Sequence, residues 1–123
     1  MKTVLLLAIF CITNICVSQN VEIPDQNFEK ALIDLGIDSD EKVNGLVLKS
    51  DIVLVTSLDV SNKNIKDLTG IEEFSSLIYL NCRNNKLTNL DVSQNIGLIM
   101  LSTSVNHLIA NENYSGSFRW FDD

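Results

Sequence analysis

Three segments of this chain repeat one another in phase, and that repetition restricts the available folds more than any other feature. The first reads Val55-Thr-Ser-Leu58-Asp-Val60-Ser-Asn-Lys63-Asn-Ile65. The second reads Leu77-Ile-Tyr-Leu80-Asn-Cys82-Arg-Asn-Asn85-Lys-Leu87, and the third Leu98-Ile-Met-Leu101-Ser-Thr103-Ser-Val-Asn106-His-Leu108. Starts at 55, 77 and 98 give spacings of 22 and 21 residues. Each copy follows L-x-x-L-x-L-x-x-N-x-L, with Cys82 and Thr103 in one apolar position and Lys63 in place of the first Asn. Repeats of this length are single supersecondary units that must stack to bury a common core.

Within each copy, apolar and polar residues alternate through Leu58-Asp-Val60, Leu80-Asn-Cys82 and Leu101-Ser-Thr103. That period belongs to a strand with one buried face. Stacked copies then pair their short strands in parallel, and a turn after each strand must bring the chain round. Such a turn leaves backbone groups inside the coil without partners. An asparagine carries both a donor and an acceptor and can serve them, so Asn85 and Asn106 are expected to form a structural ladder. Cys82 is expected to be a buried filler. On the returning half of the coils, Leu68, Ile71, Phe74, Leu90 and Val92 are expected to point inward.

The residues between inward positions face out: Ser57, Asp59 and Ser61, then Tyr79, Asn81 and Arg83, then Met100, Ser102 and Ser104. Tyr and Arg give much contact for each torsion immobilised. A candidate binding face therefore comprises Asp59, Tyr79, Asn81, Arg83 and Met100.

The first segment has a different texture. Met1-Lys2 is positive, Val4 to Ile12 is apolar, and small residues follow an interruption at Asn14. This is the layout of a secretory signal peptide, with cleavage expected between Ser18 and Gln19. The run is well short of the roughly 20 residues that span a bilayer. Cys11 and Cys16 fall inside the expected leader, so only Cys82 remains after processing and no internal disulfide can form. Removing Lys2 leaves eight Lys and Arg against 16 Asp and Glu, a formal charge of −8 against −7 for the whole chain. An acidic surface without a basic patch disfavours nucleic acid and anionic lipid.

Between leader and repeats, Pro24-Asp25 marks a helix start, Phe28, Ala31, Leu32 and Leu35 fall on one helical face, and Gly36 stops it. This amphipathic helix is expected to cap the open end of the stack, with residues 37–54 forming a turn and an irregular first coil. Asp38 and Asp40 make a weak calcium candidate, because an EF-hand loop starting at Asp38 would need Gly and Glu where Val43 and Lys49 stand. The single histidine, His107, lies in a repeat turn. With one thiol and one imidazole the residues assemble no nucleophilic pair or zinc set, so neither an enzyme nor a cofactor is expected.

The phrases Ile23-Pro-Asp-Gln-Asn-Phe28, Leu58-Asp-Val-Ser61, Asp67-Leu-Thr-Gly-Ile71 and Leu77-Ile-Tyr-Leu-Asn-Cys82 resemble secreted bacterial leucine-rich-repeat proteins of the internalin-like kind. The resemblance covers roughly residues 21–108. It implies an α/β-type leucine-rich-repeat solenoid, with short parallel strands on a concave face, an irregular convex side and an N-terminal capping helix. It also implies a role in adhesion or partner recognition, with a protein or glycan as ligand.

The organisation read from these features is a signal peptide over 1–18, a helical cap and link over 19–54, three repeats over 55–108 and an atypical tail over 109–123. The tail is polar, then aromatic, resembles no sorting domain and begins no further repeat. Either it folds back as a makeshift cap on a monomeric module, or the chain is a truncated N-terminal fragment of a longer surface adhesin. Such a fragment would self-associate through its open C-terminal end. In both readings the mature chain is extracellular and spans no membrane.

Overall fold

The computed structural model describes residues 19–108 together with the backbone of Arg119–Trp120. The expected leader over 1–18, residues 109–118 and residues 121–123 lie outside the described residues. Among the described residues no helix is long and apolar enough to cross a membrane.

The N-terminal unit begins with strand β1 (Asn20–Glu22), continues through helix α1 (Gln26–Asp34) and strand β2 (Leu46–Leu48), and ends in a short helix α2 (Lys49–Ile52). Asp25 occupies the N-cap, where its carboxylate accepts hydrogen bonds from the N–H groups of Asn27 (2.9 Å) and Phe28 (3.1 Å). Those are two of the donors that a helix start leaves without backbone partners. Phe28, Ala31 and Leu32 are fully buried along one face, each contributing on the order of 1–3 kcal/mol according to its size. Leu35 departs from the sequence expectation and is 47% exposed. The helix ends at Asp34, and the chain turns away through Gly36 at φ +70°, so Leu35 lies past the last inward turn.

The link between helix and repeats is more regular than its sequence suggests. β2 pairs antiparallel with β1, aligning Asn20 with Leu48 and Glu22 with Leu46. Ile23 N–H donates to the Gly45 carbonyl (2.8 Å) and Lys49 N–H to the Gln19 carbonyl (2.8 Å), which extends the pairing at both ends. Val21 and Val47 face the core from the centre of this ribbon.

The repeats contribute strands β3 (Ser57–Asp59), β4 (Tyr79–Asn81) and β5 (Met100–Ser102), parallel and in register. Leu58, Leu80 and Leu101 align at the centre of the strands and are fully buried. The return path brings Leu68, Ile71, Phe74, Leu90 and Val92 into the same core. Phe28 of α1 stacks on Phe74 of the first return path, with ring centroids 6.3 Å apart and planes at 29°. That pair joins the N-terminal unit and the first coil in one continuous core.

A fourth strand, β6 (Arg119–Trp120), pairs parallel with β5 through Met100–Arg119 and Leu101–Trp120. Ser57, Tyr79, Met100 and Arg119 therefore stand in register at spacings of 22, 21 and 19 residues. The tail departs from the repeat in sequence, yet its backbone occupies the place of a fourth strand. Alternation and leucine spacing cannot reveal this, because the tail carries neither.

Candidate functional site

Strands β3, β4 and β5 each leave the sheet through a tight turn, and the same turn recurs from coil to coil. Asn62, Asn84 and Val105 hold equivalent positions and have φ values of +58°, +53° and +58°. Asparagine enters this left-handed region at small cost, whereas a β-branched valine is strained there.

Behind these turns Asn85 is buried, at 6% exposure. Its Oδ1 accepts from the N–H groups of Lys63 (3.1 Å) and Ile65 (3.0 Å), while Nδ2 donates to the carbonyls of Val60, Cys82 and Arg83. Asn106 repeats the arrangement one coil later, accepting from Leu87 N–H (3.1 Å) and donating to the Cys82 and Thr103 carbonyls (2.8 Å each). Asn106 is half-buried.

Sequence reasoning missed a third such residue on the opposite side of the coil. Asn95 is 2% exposed and donates to the carbonyls of Ile71 and Phe74. Its only sequence signal is a polar residue three before Leu98, the start of the third copy, which a surface turn would also produce. Cys82 sits among these turns, wholly buried, and burial pushes its thiol up to about 12. A thiol so seldom ionised is a poor nucleophile. His107 is exposed, and its backbone N–H donates to the Leu87 carbonyl.

The outward face of the sheet divides into two chemically different halves. At the trailing end of the strands, Asp59 and Asn81 are register partners, and Asn81 Nδ2 donates to Asp59 Oδ2 (3.1 Å). Asp59 Oδ1 accepts from the Ser61 N–H and hydroxyl, and Asn81 Oδ1 accepts from Arg83 N–H. Partial burial pushes the Asp59 carboxyl up, but the hydrogen bonds from Ser61 and Asn81 outweigh it and hold the group below the usual carboxylate range. These side chains have much of their hydrogen-bonding capacity committed to their own strand ends. Arg83 is half-buried in the same half, and Ser102, read as outward, is only 7% exposed.

At the leading end the face is apolar. Met100 is the register partner of Tyr79, and the Ile78 carbonyl accepts from the N–H groups of both Ile99 (2.9 Å) and Met100 (3.1 Å). Ile78, Ile99 and Met100 are 41%, 56% and 37% exposed, and Tyr79 is half-buried among them. The alternation rule identifies Tyr79 and Met100. It misses Ile78 and Ile99, which stand one residue ahead of the strands at the rim.

Asp38 and Asp40 come together, but their oxygens serve a turn. Asp38 Oδ1 accepts from Asp40 N–H (3.3 Å), and Asp40 accepts from Lys42 N–H and the Asn44 amide (2.8 Å each). Among the described residues no group of three or more His, Cys, Asp or Glu is placed to hold a metal ion. Asp38 Oδ2 is buried without a hydrogen-bond partner, and burial pushes that carboxyl up, aided by the charges of Asp40 and Glu29.

No family model matches the chain. Over 72 residues, 58% of its length, it is 35% identical to Internalin J of Listeria monocytogenes serotype 4b (strain F2365), and it spans 8% of that protein. Among solved structures it is similar to the functional domain of InlJ from Listeria monocytogenes, which includes a cysteine ladder. The TM-score is 0.69 with 27% identity, over 85% of this chain and 24% of that one. Internalin C2 of strain 4b F2365 shares the fold at a TM-score of 0.61 and 22% identity, over 73% of this chain and 41% of its own. The chain is thus similar in sequence and in fold to Listeria internalins, and its fold is that of an internalin-like leucine-rich-repeat protein.

Proposed function

We propose that the chain is a secreted, non-enzymatic interaction module whose outward sheet face is the concave binding surface of a short solenoid. Residues 1–18 act as the leader, 19–54 as an N-terminal cap, 55–108 as the repeats and 109–123 as a closing tail. The observation that carries this reading is the register pairing of Tyr79 with Met100, flanked at the rim by the exposed Ile78 and Ile99. Exposed apolar residues gathered in one place and rimmed by polar groups are the usual mark of a docking surface. The polar half is largely engaged with itself, so a protein fits this face better than a glycan, which needs free polar groups. Asp59, Asn81 and Arg83 form the rim and Tyr79 with Met100 the anchor.

The test is a binding screen of the secreted chain against purified extracellular proteins and a glycan array, repeated with Tyr79→Ala/Met100→Ala. Loss of at least tenfold in affinity, with the thermal midpoint unchanged, supports the reading. Undiminished binding by the double variant, or binding to glycans alone, counts against it. The rival reading, a piece of a longer surface adhesin, draws on the small share of Internalin J that the chain spans. It expects self-association in light scattering and no ligand in the screen.

A further inference from the structure

We propose that Gln19 is a modification site: as the first residue of the secreted chain it closes on itself to pyroglutamate. The inference rests on the reading of residues 1–18 as a cleaved leader. Its structural part concerns what lies immediately after the cut. The sheet pairing of the N-terminal unit runs up to Gln19, whose carbonyl accepts the Lys49 N–H at 2.8 Å, and β1 starts at the next residue. Val21 and Ile23 are already in the core. A terminus at Gln19 therefore keeps every described contact of β1, whereas a later cut removes strand residues.

The side chain of Gln19 is exposed. Freed by cleavage, its α-amine and its side-chain amide stand on one residue, spaced to form a five-membered ring. The amine nitrogen attacks Cδ and a new C–N bond forms. The bond from Cδ to the amide nitrogen breaks, and ammonia leaves with the proton that the amine gives up. No oxidant, water or co-substrate is consumed. The backbone carbonyl takes no part, so the hydrogen bond to Lys49 survives ring closure. Because proximity replaces a bimolecular encounter, the reaction needs only the deprotonated amine and freedom of the side chain to rotate.

The product has a distinct local character. The groove beside the terminus is lined by Glu22, Glu72 and Glu73 together with Lys49, whose ammonium is paired with Glu73 at 2.8 Å. Closure removes the terminal ammonium from this groove and leaves its charge acidic. It also removes the free amine that an aminopeptidase requires.

The experiment is to express the full chain with its own leader in a secreting host and analyse the protein from the medium by mass spectrometry. The tryptic peptide spanning residues 19–30 is expected one ammonia lighter than its sequence mass, and blocked to aminopeptidase until treated with pyroglutamyl peptidase. The Gln19→Glu chain, whose hydroxide is a far poorer leaving group, is expected to keep a free amine. A wild-type peptide that retains its amine after prolonged incubation at neutral pH would overturn the ring closure. Equal blocking of the Gln19→Glu chain would overturn the ammonia-releasing step. Any other N-terminal residue would instead overturn the cleavage reading on which the proposal rests.

Discussion

The N-terminal unit and the repeats solve the same problem with different side chains. In the N-terminal unit the loops are held by carboxylates. Asp25 accepts four backbone N–H groups, two from its own helix and two from Lys66 and Asp67 in the first coil. Glu29, fully buried, accepts those of Asn44, Gly45 and Leu46. In the repeats the turns are held by amides, and Asn85, Asn95 and Asn106 donate to carbonyls as well as, in two cases, accepting from N–H groups. A helix start and a loop wrapped over it present donors only, so an acceptor-only group suffices. A turn folded into the middle of a coil presents donors and acceptors together, and only an amide serves both. Side-chain choice follows the polarity of the exposed backbone, not burial alone.

Exchanging the two chemistries is the most direct way to break this contrast. Asn85→Asp removes three donated hydrogen bonds and sets a negative charge against three carbonyls, so we expect a loss of about 4 kcal/mol in urea unfolding. The reverse exchange, Asp25→Asn, turns an NH2 toward backbone donors but keeps one acceptor, and a loss of about 2 kcal/mol is expected by the same measurement. Equal losses would mean that backbone polarity does not govern the choice.

Asp38 marks the place where the acceptor-only strategy overshoots, since one of its oxygens is buried with nothing to accept. Asp38→Asn should raise stability by about 1.5 kcal/mol at neutral pH. The direction with pH follows from the raised carboxyl. Its ionised form penalises the fold above the folded-state value, and the penalty disappears as protonation completes at lower pH. The gain of the variant should therefore shrink on acidification, and a gain independent of pH would remove charge as its cause. The smallest expected effect lies in the last repeat turn. Val105 is 69% exposed and sits at φ +58°, so Val105→Asn gives up little packing and relieves strain, for a gain of about 1 kcal/mol in a thermal melt.

The repeat half of the fold is the half a reader of the sequence can see. Period-two alternation inside a 22- and 21-residue recurrence locates Leu58, Leu80 and Leu101, because both signals are local and reinforce each other. The N-terminal unit is less legible. Pairing of Asn20–Glu22 with Leu46–Leu48 joins segments more than twenty residues apart, and no periodicity announces it. Glu29 looks like a solvated helix residue until the loop at 44–46 is seen to close over it. The outward face falls between these cases. Alternation finds Asp59, Tyr79, Asn81 and Met100, but it cannot tell that Asp59 and Asn81 bond to each other and to their own strand ends. Nor does it extend to the rim, where Ile78 and Ile99 complete the apolar row.

The contacts that Asn85, Asn95 and Asn106 make between coils also point one way along the chain. Asn85 binds Val60, Lys63 and Ile65, Asn95 binds Ile71 and Phe74, and Asn106 binds Cys82 and Leu87, all in the preceding coil. A coil is thus finished only by the arrival of its successor. During synthesis, order would spread from the amino end in single-repeat steps, each new turn sealing the one already made. A lineage built this way can lengthen by whole repeats on the downstream side without breaking a bond upstream, whereas each repeat lost leaves the turn before it unsealed.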